Sequence, residues 1–199
     1  LTEEFADGRA RSAIQLLSAF ATLDVNADLP PWFYFLFSAT YMSAPIKTPA
    51  PSADRAPDVR PIGAGECLRR AIHSSLATAF KPAFANHLWP QQVAVGVEGG
   101  ISKLIFGVRL LVESNPGFIV AKLDLRNAYN EIARSAVIQR MNAASDIRSL
   151  VPVMWATTSP ASPIYLAGAG PEPAPFYSEE GLQQGCNLAS PALCVGIHP

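Results

Sequence analysis

A chain of 199 residues, 49% of them hydrophobic, has the material for one sizeable core or two small lobes. With 15 Lys plus Arg and a formal charge of −1 it carries no overall basic footprint, which argues against a complete polynucleotide-binding protein, though not against a piece of one. The cysteines Cys67, Cys186 and Cys194 form no CxxC pair, and His73, His87 and His198 fall at no zinc-ligand spacing, which points to a reduced, intracellular compartment rather than a disulfide or zinc framework.

No basic-then-apolar leader opens the chain, which starts at Leu1 and stops at Pro199 inside an apolar stretch, so both ends read as cuts. Ala13, Ile14, Leu17, Phe20 and Ala21 fall at helical spacing and predict a helix from Ala13 to Leu23. Leu29-Pro30-Pro31 stops it, and the aromatic run Trp32 to Phe37 follows. From Ser43 to Pro61 the composition is Pro, Ala and Asp, predicting an exposed loop. A second helix is predicted from about Gly65 to Phe80, with Leu68, Ile72, Leu76 and Phe80 on one face and Arg69 and Arg70 off it. Gln91 to Gly100 is a Val/Gly loop, after which Ile101, Leu104, Ile105, Val108 and Leu111 mark a third helix.

Asn115-Pro116-Gly117 signals a turn. Phe118 to Leu123 is an almost unbroken apolar run, predicted as a strand covered on both faces. Ile132, Ala133, Ala136, Val137 and Met141 mark another helix, and Ile147 to Trp155 a helical segment interrupted by Pro152. Ile164 to Leu166 and Phe176 to Ser178 read as the strands of a hairpin joined by a Gly/Pro-rich loop. There is no internal repeat and no apolar run of membrane-spanning length. Helices alternating with short strands imply an α/β or α+β arrangement.

A buried strand that ends on a carboxylate is a common way to hold a hard metal ion, because the strand fixes the acid and the following turn exposes backbone groups. Magnesium takes oxygen ligands in an octahedron and shares them with substrate phosphates. Asp124, followed by Leu125-Arg126-Asn127-Ala128-Tyr129, has that arrangement. By spacing alone the more ordinary reading is that Asp124 caps the helix beyond it.

The segment from Leu123 to Asn130 resembles the first palm motif of reverse transcriptases, an Asp with Ala-Tyr or Ala-Phe four and five residues later. Sixty residues beyond Asp124 stands Gln184, in Gly181-Leu182-Gln183-Gln184-Gly185-Cys186-Asn187-Leu188-Ala189-Ser190-Pro191, which is similar to the second palm motif, a Gln-Gly before Ser-Pro at the head of a helix. Arg60-Pro61-Ile62 with Gly65 to Arg70 resembles the fingers motif of LINE-like (non-LTR) retrotransposons, and Gln92 to Gly100 the segment after it. These motifs stand in the family's order from about Arg60 to Pro199.

The resemblance implies the α+β fingers and partial palm of a right-hand polymerase. Residues 1–46 would be an N-terminal helical segment, 47–115 the fingers-like part and 116–199 an incomplete palm. It implies RNA-directed DNA polymerisation with Mg2+ in a longer parent, using an RNA template, a DNA primer and deoxynucleotides, and a nuclear location for a LINE-like element. Asp124 would be the catalytic carboxylate and metal ligand, and the Leu125 carbonyl would complete a metal shell. The amides of Arg126, Asn127, Ala128 and Tyr129 would meet the triphosphate, and Arg60 would neutralise charge on it. Gln184 and Gly185 would let substrate approach the backbone closely.

Tyr129 would exclude a 2′-hydroxyl, or is an ordinary core aromatic. Lys47 would stand for the family's fingers lysine, or is a solvated loop residue. Arg69 and Arg70 would touch template phosphates or form the wet face of a helix. The cysteines read as structural, and Glu131, Glu179 and Glu180 have no partner legible in the sequence. Asn187 and Ala189 depart from the family's usual Pro and Ser or Gly, and the third palm motif, an aromatic before two aspartates, is absent. The isolated chain is therefore expected to be inactive. The alternatives are a non-catalytic remnant of a decayed retroelement and an RNA-directed RNA polymerase, which the Ala128-Tyr129 pair fits less well.

Overall fold

The computed structural model describes residues 8–48, 57–166 and 176–199. The centre of the Pro/Ala/Asp-rich stretch (49–56) and the Gly/Pro-rich loop predicted at 167–175 lie outside the described residues.

Helix α1 (Gly8–Val25) contains the predicted first helix. The prolines that stop it also start the next one: Pro31 opens α2 (Pro31–Phe37), where its fixed φ suits a first turn and its missing N–H is not needed. Phe20 clasps the two helices together, meeting Phe33 and Phe37 edge-on at 5.8 and 5.7 Å between ring centres.

A four-stranded mixed sheet follows, ordered β4-β1-β5-β6, from β1 (Thr40–Ser43), β4 (Ile62–Gly65), β5 (Ser162–Leu166) and β6 (Phe176–Ser178). β1 runs antiparallel to β4 and parallel to β5, and β5 and β6 form the predicted hairpin, with Ile164 opposite Phe176. A separate pair, β2 (Ile46–Thr48) and β3 (Asp58–Val59), lies inside the stretch read as an exposed loop. The Pro- and Ala-rich composition concealed the β-branched residues Ile46 and Val59, which pair across it.

Glu66 caps α3 (Cys67–Ala79) by accepting the Arg69 backbone N–H at 3.0 Å. The next helix, α4 (Lys81–Leu88), was given no place by periodicity; it is short and has Pro82 in its first turn. After α6 (Ala128–Glu131) and α7 (Arg134–Ala143), a 3-10 turn (Arg148–Leu150) leads into α8 (Val151–Thr158). Pro152 stands in the first turn of α8, so it starts that helix instead of interrupting one. Phe84 and Leu88 of α4 pack with Val137, Met141, Val153 and residues of α9 (Ala189–Ile197) in the main core. The architecture is mixed α+β with a small mixed sheet.

The predicted strand over Phe118–Leu123 is the principal disagreement. Those residues are irregular and exposed, with Ile119 94% and Leu123 90% accessible. Helix α5 (Gly100–Ser114) forms where predicted, yet Ile101, Leu104, Ile105 and Leu111 are all exposed. An apolar run becomes a buried strand only when a ladder partner and a cover are present, and neither meets it among the described residues. Ile119→Ser and Leu123→Ser are accordingly expected to leave unfolding free energy within about 0.5 kcal/mol of wild type. A loss of about 2–5 kcal/mol in urea melts, the range for a truncated core aliphatic, would put the segment back in a core.

Candidate functional site

The β2–β3 pair and Arg60-Pro61 face the segment after Asp124 across a polar cleft, seen as two overlapping hollows of about 470 and 390 Å³. Asp124, Leu125 and Asn127 line both, Arg126 the larger, and Arg60, Ala128, Tyr129 and Gln184 the smaller. The Arg60 N–H donates to the Pro45 carbonyl at 2.9 Å, which ties that arginine to the turn before β2. Lys47 also lines the cleft and pairs with Asp58 at 3.5 Å, so it is a cleft residue rather than a lysine on a free loop.

Asp124 is exposed and reached by an irregular segment, not by a strand end. The turn after it is built on Asn127, whose φ of +49° is the left-handed conformation that asparagine tolerates better than most residues. Asn127 Nδ2 donates to Glu131 Oε1 at 3.2 Å, which gives Glu131 the partner that the sequence did not reveal. Tyr129 is half-buried against the main core, and its hydroxyl lies 2.7 Å from Ser190 Oγ at the head of α9. The ring is thus both a packing residue and a wall of the cleft.

Gln184 accepts the Gly63 N–H through its backbone carbonyl at 2.7 Å. Gly185, at φ +122°, lies so close to the Gly63 carbonyl that a Cβ there would overlap it. At Gln184-Gly185 the backbone thus packs closely against β4.

A magnesium ion bound with its substrate needs one or two protein carboxylates and takes its remaining oxygens from phosphate and water. The exposed Asp124 carboxylate beside Leu125 fits such an anchor. No group of three or more His, Cys, Asp or Glu side chains suited to a metal occurs among the described residues, so these do not form an all-protein cage.

Behind the cleft is a buried polar layer that sequence reasoning missed. Arg69, read as a phosphate contact or a wet helix face, is instead 4% accessible; Arg70 is exposed. The Arg69 guanidinium donates to Gln183 Oε1 at 3.1 Å and to Thr40 Oγ1 at 3.4 Å. Arg134 binds the segment from Ser178 to Gly181, donating to the carbonyls of Ser178, Glu180 and Gly181 and to that of Thr158. His73 Nδ1 lies 3.2 Å from Cys186 Sγ, and burial lowers its pKa to about 4, with nearby Arg69 adding to the effect. Burial also raises the Cys186 thiol, so burial favours the neutral form of both partners. Burial pushes Asp24 up to about 6, against the opposing influence of Arg69.

No helix among the described residues is long and apolar enough to cross a membrane. Comparison with protein-family models and with curated proteins gives no match.

Proposed function

We propose that this chain carries the fingers and the first part of the palm of a LINE-like reverse transcriptase, acting in RNA-directed DNA synthesis within a longer nuclear protein. The supporting observation is the cleft: Arg60, Asp124 to Tyr129 and Gln184, assigned to three motifs far apart in the chain, line one polar surface. Asp124 and the Leu125 carbonyl would hold magnesium, which when bound supplies charge neutralisation to the phosphates. Arg60 and Lys47 would bind the phosphates from the opposite wall, and the turn amides from Arg126 to Tyr129 would orient them. The Tyr129 ring, fixed by the core and Ser190, would rest against the sugar. An RNA template and a DNA primer complete the reaction.

The purified chain is expected to bind magnesium–deoxynucleoside triphosphate weakly, with Arg60→Ala costing about tenfold or more, the range for a lost charge-assisted hydrogen bond. It is not expected to extend a primer, since transfer needs two clamped metals and Asp124 has no identified partner for the second. Titration calorimetry and a primer-extension assay check both statements. Unchanged affinity in Arg60→Ala and Asp124→Asn would remove the cleft from the reading. Extension abolished by Asp124→Ala would overturn the expected inactivity.

A second reading, a non-catalytic remnant of a decayed element, draws on the exposed and irregular delivery of Asp124. It predicts nucleotide binding that does not depend on magnesium.

A further inference from the structure

We propose that Asp58 is a built-in stand-in for phosphate: its carboxylate parks the Lys47 ammonium over the cleft and releases it when a polyphosphate enters. The proposal rests on reading the cleft as a nucleotide site, and adds to that reading an internal competitor for the ligand.

The register of the β2–β3 pair is the first observation. Ile46 is opposite Val59 and Thr48 opposite Asp58, with a shift between them, so Lys47 is the extra residue of an irregular pairing. Such a bulge re-aims the side chain it inserts. Here the re-aimed Lys47 Nζ comes to 3.5 Å from Asp58 Oδ2, and both residues line the hollows that Asp124 and Leu125 border.

The second observation is the pair's exposure. The two side chains are 50% and 60% accessible, so the pair contributes little to folding and opens cheaply. The other ion pair among the described residues, Arg109–Glu113, is an ordinary i,i+4 pair along α5 and does not border the cleft. A carboxylate oxygen accepts from an ammonium as a phosphate oxygen does, so Asp58 occupies the acceptor place that a ligand would take on Lys47. It also sets a negative charge on the wall that an anion must approach. Lys47 then has its geometry before binding, and exchanges one acceptor for another when the ligand arrives.

The test is a titration of inorganic triphosphate into the whole chain at low ionic strength, followed by calorimetry. Asp58→Asn is expected to bind about two- to fivefold more tightly than wild type, the range set by the strength of an exposed pair, and the gain should shrink as salt is added. Lys47→Met should weaken binding, and Asp58→Asn should give no further gain in a Lys47→Met background. Equal gains in both backgrounds would mean that Asp58 acts only as bulk negative charge, which overturns the proposal. So would unchanged or weaker binding in Asp58→Asn, and in either case the cleft reading survives. Failure of both wild type and Asp58→Asn to bind triphosphate would remove the cleft reading and this inference together. Melting curves of the single variants report whether the short strand pair is intact.

Discussion

Acidification from pH 6.5 to 4 is expected to cost Asp24→Asn about 3 kcal/mol of unfolding free energy attributable to one histidine, while the wild-type chain shows little net change from the same region. Asp24 is fully buried with neither carboxylate oxygen hydrogen-bonded, and its pKa rises from 3.8 to about 6. The folded state therefore holds its proton more tightly than the unfolded chain does. That contribution is complete below pH 3.8 and is lost as pH rises through about 6. His73 is 2% accessible, and its pKa falls from 6.5 to about 4. Its contribution is present above pH 6.5 and is lost as pH falls through about 4. Each shift corresponds to about 3 kcal/mol, and the two windows overlap with opposite sign. Asp24→Asn leaves the histidine slope alone. His73→Gln leaves the aspartate slope alone and should gain stability on acidification. Urea midpoints at pH 4, 5, 6.5 and 7.5 separate the cases. A flat profile in Asp24→Asn would show that His73 is hydrated in solution and not held in the buried layer, and a flat profile in His73→Gln would show the same of Asp24.

Helical spacing was legible wherever a helix was long and its face regular, as in α1, α3 and α5. It was silent at α4, whose eight residues are too few to establish a period. The β5–β6 hairpin was legible because Ile164-Tyr165-Leu166 and Phe176-Tyr177-Ser178 are each rich in strand formers. The apolar run Phe118–Leu123 misled for a physical reason: hydrophobicity states that a segment seeks cover, whereas partners elsewhere decide whether it obtains any.

The same division holds in the candidate site. The turn after Asp124 was legible because its residues are contiguous and Asn127 has the backbone tolerance that the turn requires. The pairing of Lys47 with Asp58 was not, because the two meet only through the register of two very short strands. Arg69 was misread because an arginine off the apolar stripe of a helix normally faces water. Here the neighbouring surface is β1 and Gln183, which offer acceptors to a guanidinium. No helical period reveals that.

Gln183→Leu is expected to cost about 3–5 kcal/mol and to loosen the contact between Gln184 and β4. The Gln183 side chain has the full complement of an amide: Oε1 accepts from Thr40 Oγ1 at 2.8 Å and from Arg69 at 3.1 Å, and Nε2 donates to the Ser38 carbonyl at 3.0 Å and to Ser162 Oγ at 3.2 Å. These partners belong to the end of α2, the start of β1, α3 and β5, so one amide joins elements that are distant in sequence. Leucine fills a similar volume but leaves a buried guanidinium, two hydroxyls and a carbonyl short of a partner. Each orphaned group costs about 1–3 kcal/mol before relaxation, and the losses are not additive because the groups share a site. Thr40→Val, which removes a single hydroxyl from the same network, should cost less, about 1–2 kcal/mol. The effect should travel one residue further. Gln184, next in the chain, holds the Gly63 N–H through its carbonyl. Hydrogen exchange at the Gly63 amide should therefore accelerate in Gln183→Leu more than at core amides of α9, which report only the global loss. Equal acceleration at both places would make Gln183 a general stabiliser with no particular hold on the cleft. Stability within about 1 kcal/mol of wild type would show that water replaces its partners and that the buried polar layer does not depend on this amide.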